Sequence, residues 1–297
     1  ILTYGCWHLK FTISTITLMA ASSSKTDKNN HMKQLIIPAF AAILFASCTA
    51  SLQQSSTAVY STADGNVRLL FENYAGLQPL TLNKDTFNTA SGERMTVSLL
   101  QYYITNISLK KTDGSILTIP QDQSYFLIKE SDPASREISL NIPEGKYESV
   151  SFVLGVDSLR NTKPIAERTG VLDPATGGAG MYWSWNSGYI FFKMEGYSPV
   201  ASPGKNNDYK FRYHIGLFGG MNTPTVNNVK TITLPLDKLK ISEKKPAAVH
   251  IHTDILKMFS GVNDISIAKN TTVMVTPFSA KIADNFTGMF TVSGIDQ

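Results

Sequence analysis

From Asn66 onward, apolar and polar residues alternate in short runs separated by Gly, Pro, Asn and Asp. A period of two residues puts successive side chains on opposite faces of an extended chain, the signature of half-buried strands. The pattern predicts strands at Val67–Phe71, Thr96–Lys110, Ser115–Ile119, Ser124–Ile128, Glu137–Ile142 and Tyr147–Leu154. It continues through Tyr182–Glu195, Tyr209–Gly216, Lys230–Leu234, Ala248–His252, Thr272–Val275 and Met289–Val292. Asp113-Gly114 is a hairpin turn signal, and Pro143-Glu144-Gly145 is a second turn. Helical signal is confined to two places. Thr253 is a cap for a short helix through Phe259, ended by Gly261, and Ser279–Phe286 puts Ile282 and Phe286 on one face. Many short strands with few helices predict an all-β domain over 66–297, a single antiparallel β-sandwich of Ig-like or Greek-key type. Long Gly/Pro-rich loops at 161–180 and 199–207 are where binding residues tend to gather.

Ahead of the domain the pattern changes. Residues 1–31 mix an apolar stretch, Phe11–Ala21, with a polar one, and read as sequence upstream of the true start. Met32 and Lys33 open a signal peptide over 32–47, whose apolar run Leu35–Ala46 is broken only by Pro38. That run is too short for a spanning helix, which needs about 20 residues. Small residues then precede Cys48, which fits a bacterial lipobox. Acyl chains on Cys48 would anchor the protein in the bacterial envelope, most naturally at the outer membrane, since each buried methylene adds about 0.8 kcal/mol. Residues 48–65, rich in Ser, Thr, Ala and Gln, form a flexible tether.

Removing this leader alters the charge. The whole chain carries 27 Lys and Arg against 23 Asp and Glu. Residues 1–47 hold Lys10, Lys25, Lys28, Lys33 and Asp27, which leaves the remainder at a net charge of +1. Nothing there argues for nucleic acid. The two cysteines, Cys6 and Cys48, both lie ahead of the domain, so it has neither a disulfide nor a thiolate metal site.

The histidines of the domain are His214, His250 and His252, all in predicted strands. His250 and His252 are two apart and share a face. Neutral imidazole suits copper or zinc, while the ordinary alternative is a half-buried, hydrogen-bonded strand histidine. Trp183 and Trp185 fall within Gly180-Met181-Tyr182-Trp183-Ser184-Trp185-Asn186-Ser187-Gly188-Tyr189. Three readings stay open for them: core packing, an aromatic platform for sugars, or a redox-modified tryptophan beside a metal. The bracketing glycines indicate a bend or a close backbone approach. Met194 and Met258 are possible thioether contacts or core filler. Asp157, Asp173 and Asp254 sit beside turn and cap signals, so capping is their expected role. No nucleophile elbow, zinc-protease helix or phosphate loop occurs, and the chain is expected to be a binder and not an enzyme.

Several segments together carry a family resemblance. They are Leu154-Gly155-Val156-Asp157-Ser158, Leu172-Asp173-Pro174, the tryptophan block continuing through Gly196, Phe211-Arg212-Tyr213-His214-Ile215-Gly216, and Ile282-Ala283-Asp284-Asn285-Phe286 with Met289-Phe290. In this order they resemble the MbnP-like family of exported copper-binding proteins. The resemblance implies a β-rich exported domain, with copper held by two histidines and a tryptophan oxidised to kynurenine. It also implies a dihaem partner of the cytochrome c peroxidase type as the oxidant. Carried onto this chain, the imidazoles would be His214 with His250 or His252, and the modified residue Trp183 or Trp185. A metal-free module that recognises a glycan or protein at the cell envelope is the competing reading.

Overall fold

The computed structural model describes residues 66–183, 186–242 and 245–297. The leader, Cys48, the tether and Trp185 lie outside the described residues.

The fold is β-rich, with fourteen strands in two sheets among the described residues. In chain order they are β1 (Val67–Ala75), β2 (Gln78–Pro79), β3 (Phe87–Asn88), β4 (Arg94–Lys111), β5 (Ile116–Thr118), β6 (Tyr125–Lys129) and β7 (Glu137–Leu140). Then follow β8 (Gly145–Leu154), β9 (Ile190–Tyr197), β10 (Lys210–Gly216), β11 (Lys230–Ile241), β12 (Ala247–Asp254), β13 (Thr272–Val273) and β14 (Phe290–Asp296). Two short α-helices, α1 (Ser158–Asn161) and α2 (Ser279–Asn285), accompany several 3-10 turns.

The smaller sheet runs β14-β12-β1-β2, with β7 also on β1. The larger runs β11-β8-β4-β9-β10-β13, with β3, β5 and β6 on the long strand β4. Antiparallel pairing throughout, as the sequence led us to expect, does not hold. β1 lies parallel to β12 from Val67↔Ala247 to Tyr74↔Asp254, and β10 is parallel to β13. Parallel neighbours need a long crossover, and everything between β1 and β12, most of the larger sheet included, supplies it. An Ig-like order of neighbouring hairpins is not what this topology has. The Pro143-Glu144-Gly145 turn likewise joins strands of different sheets, because β7 pairs with β1 while β8 pairs with β4 and β11.

Alternation fixes the faces. In β1, Val67, Leu69, Phe71 and Asn73 are buried while Arg68, Leu70, Glu72 and Tyr74 look outward. The inward residues of both sheets meet in one core. Phe71 packs edge-on against Phe152 of β8 at 5.6 Å and Tyr102 of β4 at 6.4 Å, and Phe290 of β14 joins them. Edge-to-face aromatic pairs add about 0.5–1.5 kcal/mol beyond their buried area. One polar chain crosses this core. The Tyr102 hydroxyl donates to Asn73 Oδ1 at 2.8 Å, and Asn73 Nδ2 donates to Glu130 at 2.8 Å. Burial raises the Glu130 pKa, partly offset by Asn73 and Arg136. Among the described residues no helix is long and apolar enough to cross a membrane.

Candidate functional site

The tryptophan block is a compact hairpin, so the strand expected from Tyr182 begins only at Ile190. Tyr182 and Tyr189 form a single bridge, and Trp183 N–H donates to the Gly188 carbonyl at 2.9 Å. Gly180 and Gly188 have φ of +75° and +70°, which makes both bends possible. Met181 is fully buried and Trp183 is 9 % exposed. Gly216 of β10 lies so close to Trp183 that a Cβ there would come within 2.7 Å of the indole. Trp183 is therefore a packing residue, not an exposed sugar platform.

The 161–180 loop braces this hairpin. Asn161 Oδ1 accepts from Tyr189 N–H at 2.9 Å, and its amide donates to the carbonyls of Val156 and Asp157. The buried Arg168 guanidinium lies 4.8 Å from the Tyr182 ring centre and 5.3 Å from that of Tyr189, and donates to the Asn161 and Lys163 carbonyls. Burial pushes the Tyr189 phenol up to about 12, against the opposing pull of Arg168. Asn186 gathers the 221–223 turn, its Oδ1 accepting from Met221 and Thr223 N–H at 2.8 and 3.2 Å. Asn161 and Arg168 carry this arrangement, and no local pattern announces either.

The aspartates cap, as expected. Asp157 accepts from Arg160 N–H, Asp254 from Leu256 N–H and Asp173 from Ala175 N–H. The cap of the turn at Ile255–Met258 is Asp254, one residue beyond the expected Thr253, which is buried in β12. Met194 and Met258 are fully buried core residues.

The three histidines divide between the sheets. His214 stands on the outward side of β10 with Lys210 and Arg212, while Phe211, Tyr213 and Ile215 face the core. Its Nε2–H donates to Glu195 Oε1 of β9 at 2.8 Å, and Lys210 pairs with the same carboxylate. The His214 hydrogen bond, then Lys210, hold the Glu195 pKa down at about 2, although burial opposes them. His214 is near the tryptophan hairpin: Lys193, its register partner on β9, donates to the Gly180 carbonyl at 3.0 Å.

His250 and His252 stand on the outward side of β12, in the other sheet. His252 stacks on Tyr74 at 4.2 Å and donates Nε2–H to the Gly76 carbonyl at 3.1 Å. His250 places Nδ1 at 2.9 Å from Glu72 and Nε2 at 3.1 Å from Asp296. Glu72 first, then Asp296, raise the His250 pKa. Since the inward faces of the two sheets meet in the core, His214 and the β12 pair point away from each other. The expected convergence of His214 with His250 or His252 on one metal does not occur. No group of three or more His, Cys, Asp or Glu among the described residues is arranged to hold a metal ion.

The fold defines a class: a β-rich, two-sheet domain whose longest loops brace a glycine-bracketed tryptophan hairpin. The chain belongs to the MbnP family, whose model matches residues 64–276. The structure is similar to that of MbnP from Methylosinus trichosporium, with a TM-score of 0.47 and 15 % identity, covering 72 % of this chain and 81 % of that chain. No curated protein matches the chain.

Proposed function

We propose that this chain is an exported, lipid-anchored protein of the bacterial envelope that binds copper as cargo, and that it is not a catalyst. Family membership over 64–276 supports the copper reading. The full set implied by the resemblance, two imidazoles with a modified tryptophan, does not fit the described residues. Trp183 is buried beside β10, and the two imidazoles that share a face are on the other sheet.

The observation that carries the proposal is the arrangement of His250 and His252. Each has one ring nitrogen tied to a protein acceptor, Glu72 for His250 and the Gly76 carbonyl for His252. Metal-ligating histidines commonly have this anchoring, which fixes the ring and leaves the second nitrogen for the ion. At His250 that second nitrogen faces Asp296 at 3.1 Å, a carboxylate 80 % exposed, so copper binding there requires the ring to give up this hydrogen bond and its proton. Imidazole nitrogens with a carboxylate alongside suit copper. His214, anchored in the same manner on Glu195, has no second imidazole on its face among the described residues and is outside the proposed site. Oxidation of a tryptophan by a dihaem partner is a separate proposal that now rests on Trp185.

The test is copper content and intact mass of protein purified from its own envelope. The unaltered protein is expected to carry copper, His214→Ala to retain it, and His250→Ala/His252→Ala to lose it. Copper loss in His214→Ala alone would move the site to the other sheet. Copper missing from the unaltered protein would end the copper reading and favour the metal-free module. Unmodified tryptophans in native material would end the oxidation proposal.

A further inference from the structure

The cleft at the end of the larger sheet is lined by none of the three histidines and has no part in the copper reading. It forms where β9 ends at Tyr197, between the starts of β4 and β10, and encloses about 610 Å³. Ligand sites commonly span about 300–1,000 Å³. Two partly exposed tyrosines line it, Tyr197 at 45 % and Tyr209 at 43 % exposure. Thr86, Thr96, Ser198 and Arg94 complete the polar lining, and no acidic residue is among the lining residues. The Arg94 side chain has no hydrogen bond or ion pair among the described residues.

Three properties narrow the ligand. Aromatic rings left in water cost free energy that a ligand with an apolar face recovers. Tyr209 holds φ at +46°, a conformation a bulky residue rarely adopts and one that costs about 1–3 kcal/mol. The 198–209 loop keeps it there, because the Tyr209 carbonyl accepts from Ser198 N–H at 3.0 Å. In that conformation Tyr209 lines the cleft. Finally, Tyr197 is paired with Thr96 on one side and Lys210 on the other. No free sheet edge is offered here, so a peptide cannot dock by adding a strand. Recognition then falls to ring faces, hydroxyls and a guanidinium that has no partner among the described residues.

We propose that this cleft binds a carboxylate-bearing saccharide, its sugar rings lying on Tyr197 and Tyr209 and its carboxylate meeting Arg94. Sugars pair an apolar C–H face with peripheral hydroxyls, which matches rings flanked by Thr86 and Thr96. Guanidinium and carboxylate form charge-assisted hydrogen bonds, often bidentate. A guanidinium with no acidic neighbour in the lining favours an acidic sugar over a neutral one.

The test is calorimetric titration of the full chain with oligogalacturonate, a neutral oligosaccharide of equal length, and oligoglutamate. Oligogalacturonate is expected to bind most tightly. Tyr197→Ala should weaken it about tenfold, as loss of one well-used contact does. Arg94→Gln should remove the preference for the acidic over the neutral sugar. Tyr209→Gly separates ring from backbone, since glycine accepts the positive φ: binding should weaken while the urea midpoint holds or rises. His250→Ala/His252→Ala should leave saccharide binding unchanged whatever it does to copper. Absence of saccharide binding by the folded protein overturns the proposal, as does unaltered binding by Tyr197→Ala. Oligoglutamate binding as tightly as oligogalacturonate reassigns the cleft to an acidic peptide.

Discussion

At Gly188 one hydrogen atom in place of a methyl group keeps the tryptophan hairpin closed. A Cβ there would lie 2.0 Å from Asn161 Oδ1 and 2.9 Å from the Phe218 ring, at a φ of +70°. Gly188→Ala combines backbone strain with a collision against a buried hydrogen-bonded side chain. It should cost about 3 kcal/mol or more, read as a lower urea midpoint with an unchanged slope. A midpoint equal to the parent's would mean that the hairpin relaxes freely and that Asn161 does not brace it. Asn161→Ala, which orphans Tyr189 N–H in a buried place, should cost about 1–3 kcal/mol by the same measurement. The sequence showed the need for a bend here through its two glycines, yet left three readings for Trp183. Only the approach of Gly216 decides for packing. The capping aspartates were legible because each partner lies two or three residues away. Glu195 with His214 and Glu72 with His250 were not, because those partners arrive on neighbouring strands from far along the chain.

Strands were legible wherever one face is wet, and their limits were less so. β11 runs to Ile241, beyond the expected Leu234, with a register shift between Pro235 and Leu239 that breaks its alternation. Which strand pairs with which was hidden, since periodicity carries face but not neighbour. The ion cluster joining β9 to β10 has a consequence for pH. Glu195 has a folded pKa of about 2 against an ordinary 4.5, held there by His214 and Lys210. A depressed carboxylate contributes stability that is complete above its unfolded pKa and disappears as pH falls toward the folded one. The contribution is thus present at neutral pH, declines from pH 4.5 and is gone near pH 2. Glu195→Gln should cost about 2–3 kcal/mol at pH 7, and the gap between the two proteins should narrow through that acid window. Parallel stability curves down to pH 3 would show that the pair is matched equally well by water.

For the molecule as a whole, the proposed anchor can be tested apart from the fold. If Cys48 carries the proposed acyl chains, Cys48→Ala should move the protein from the membrane fraction to the soluble one, because those chains would supply the attachment energy. The variant's thermal midpoint should match that of the detergent-solubilised parent. Membrane association unchanged in the variant, with no acylated peptide by mass spectrometry, would defeat the anchoring proposal. The family match ends at residue 276, but the fold does not: β14 supplies the antiparallel neighbour of β12. The β1–β12 ladder also sets an order in time. The ribosome makes β1 first, and β1 must wait for residues 247–254 before its principal partner exists. Until then the strand that opens the domain has a bare hydrogen-bonding edge and an exposed Leu69 and Phe71. Closing so long a loop is slow, so the small sheet forms after synthesis of the domain is nearly complete. If the chain is exported as proposed, its small sheet stays open until β12 and β14 have emerged on the far side.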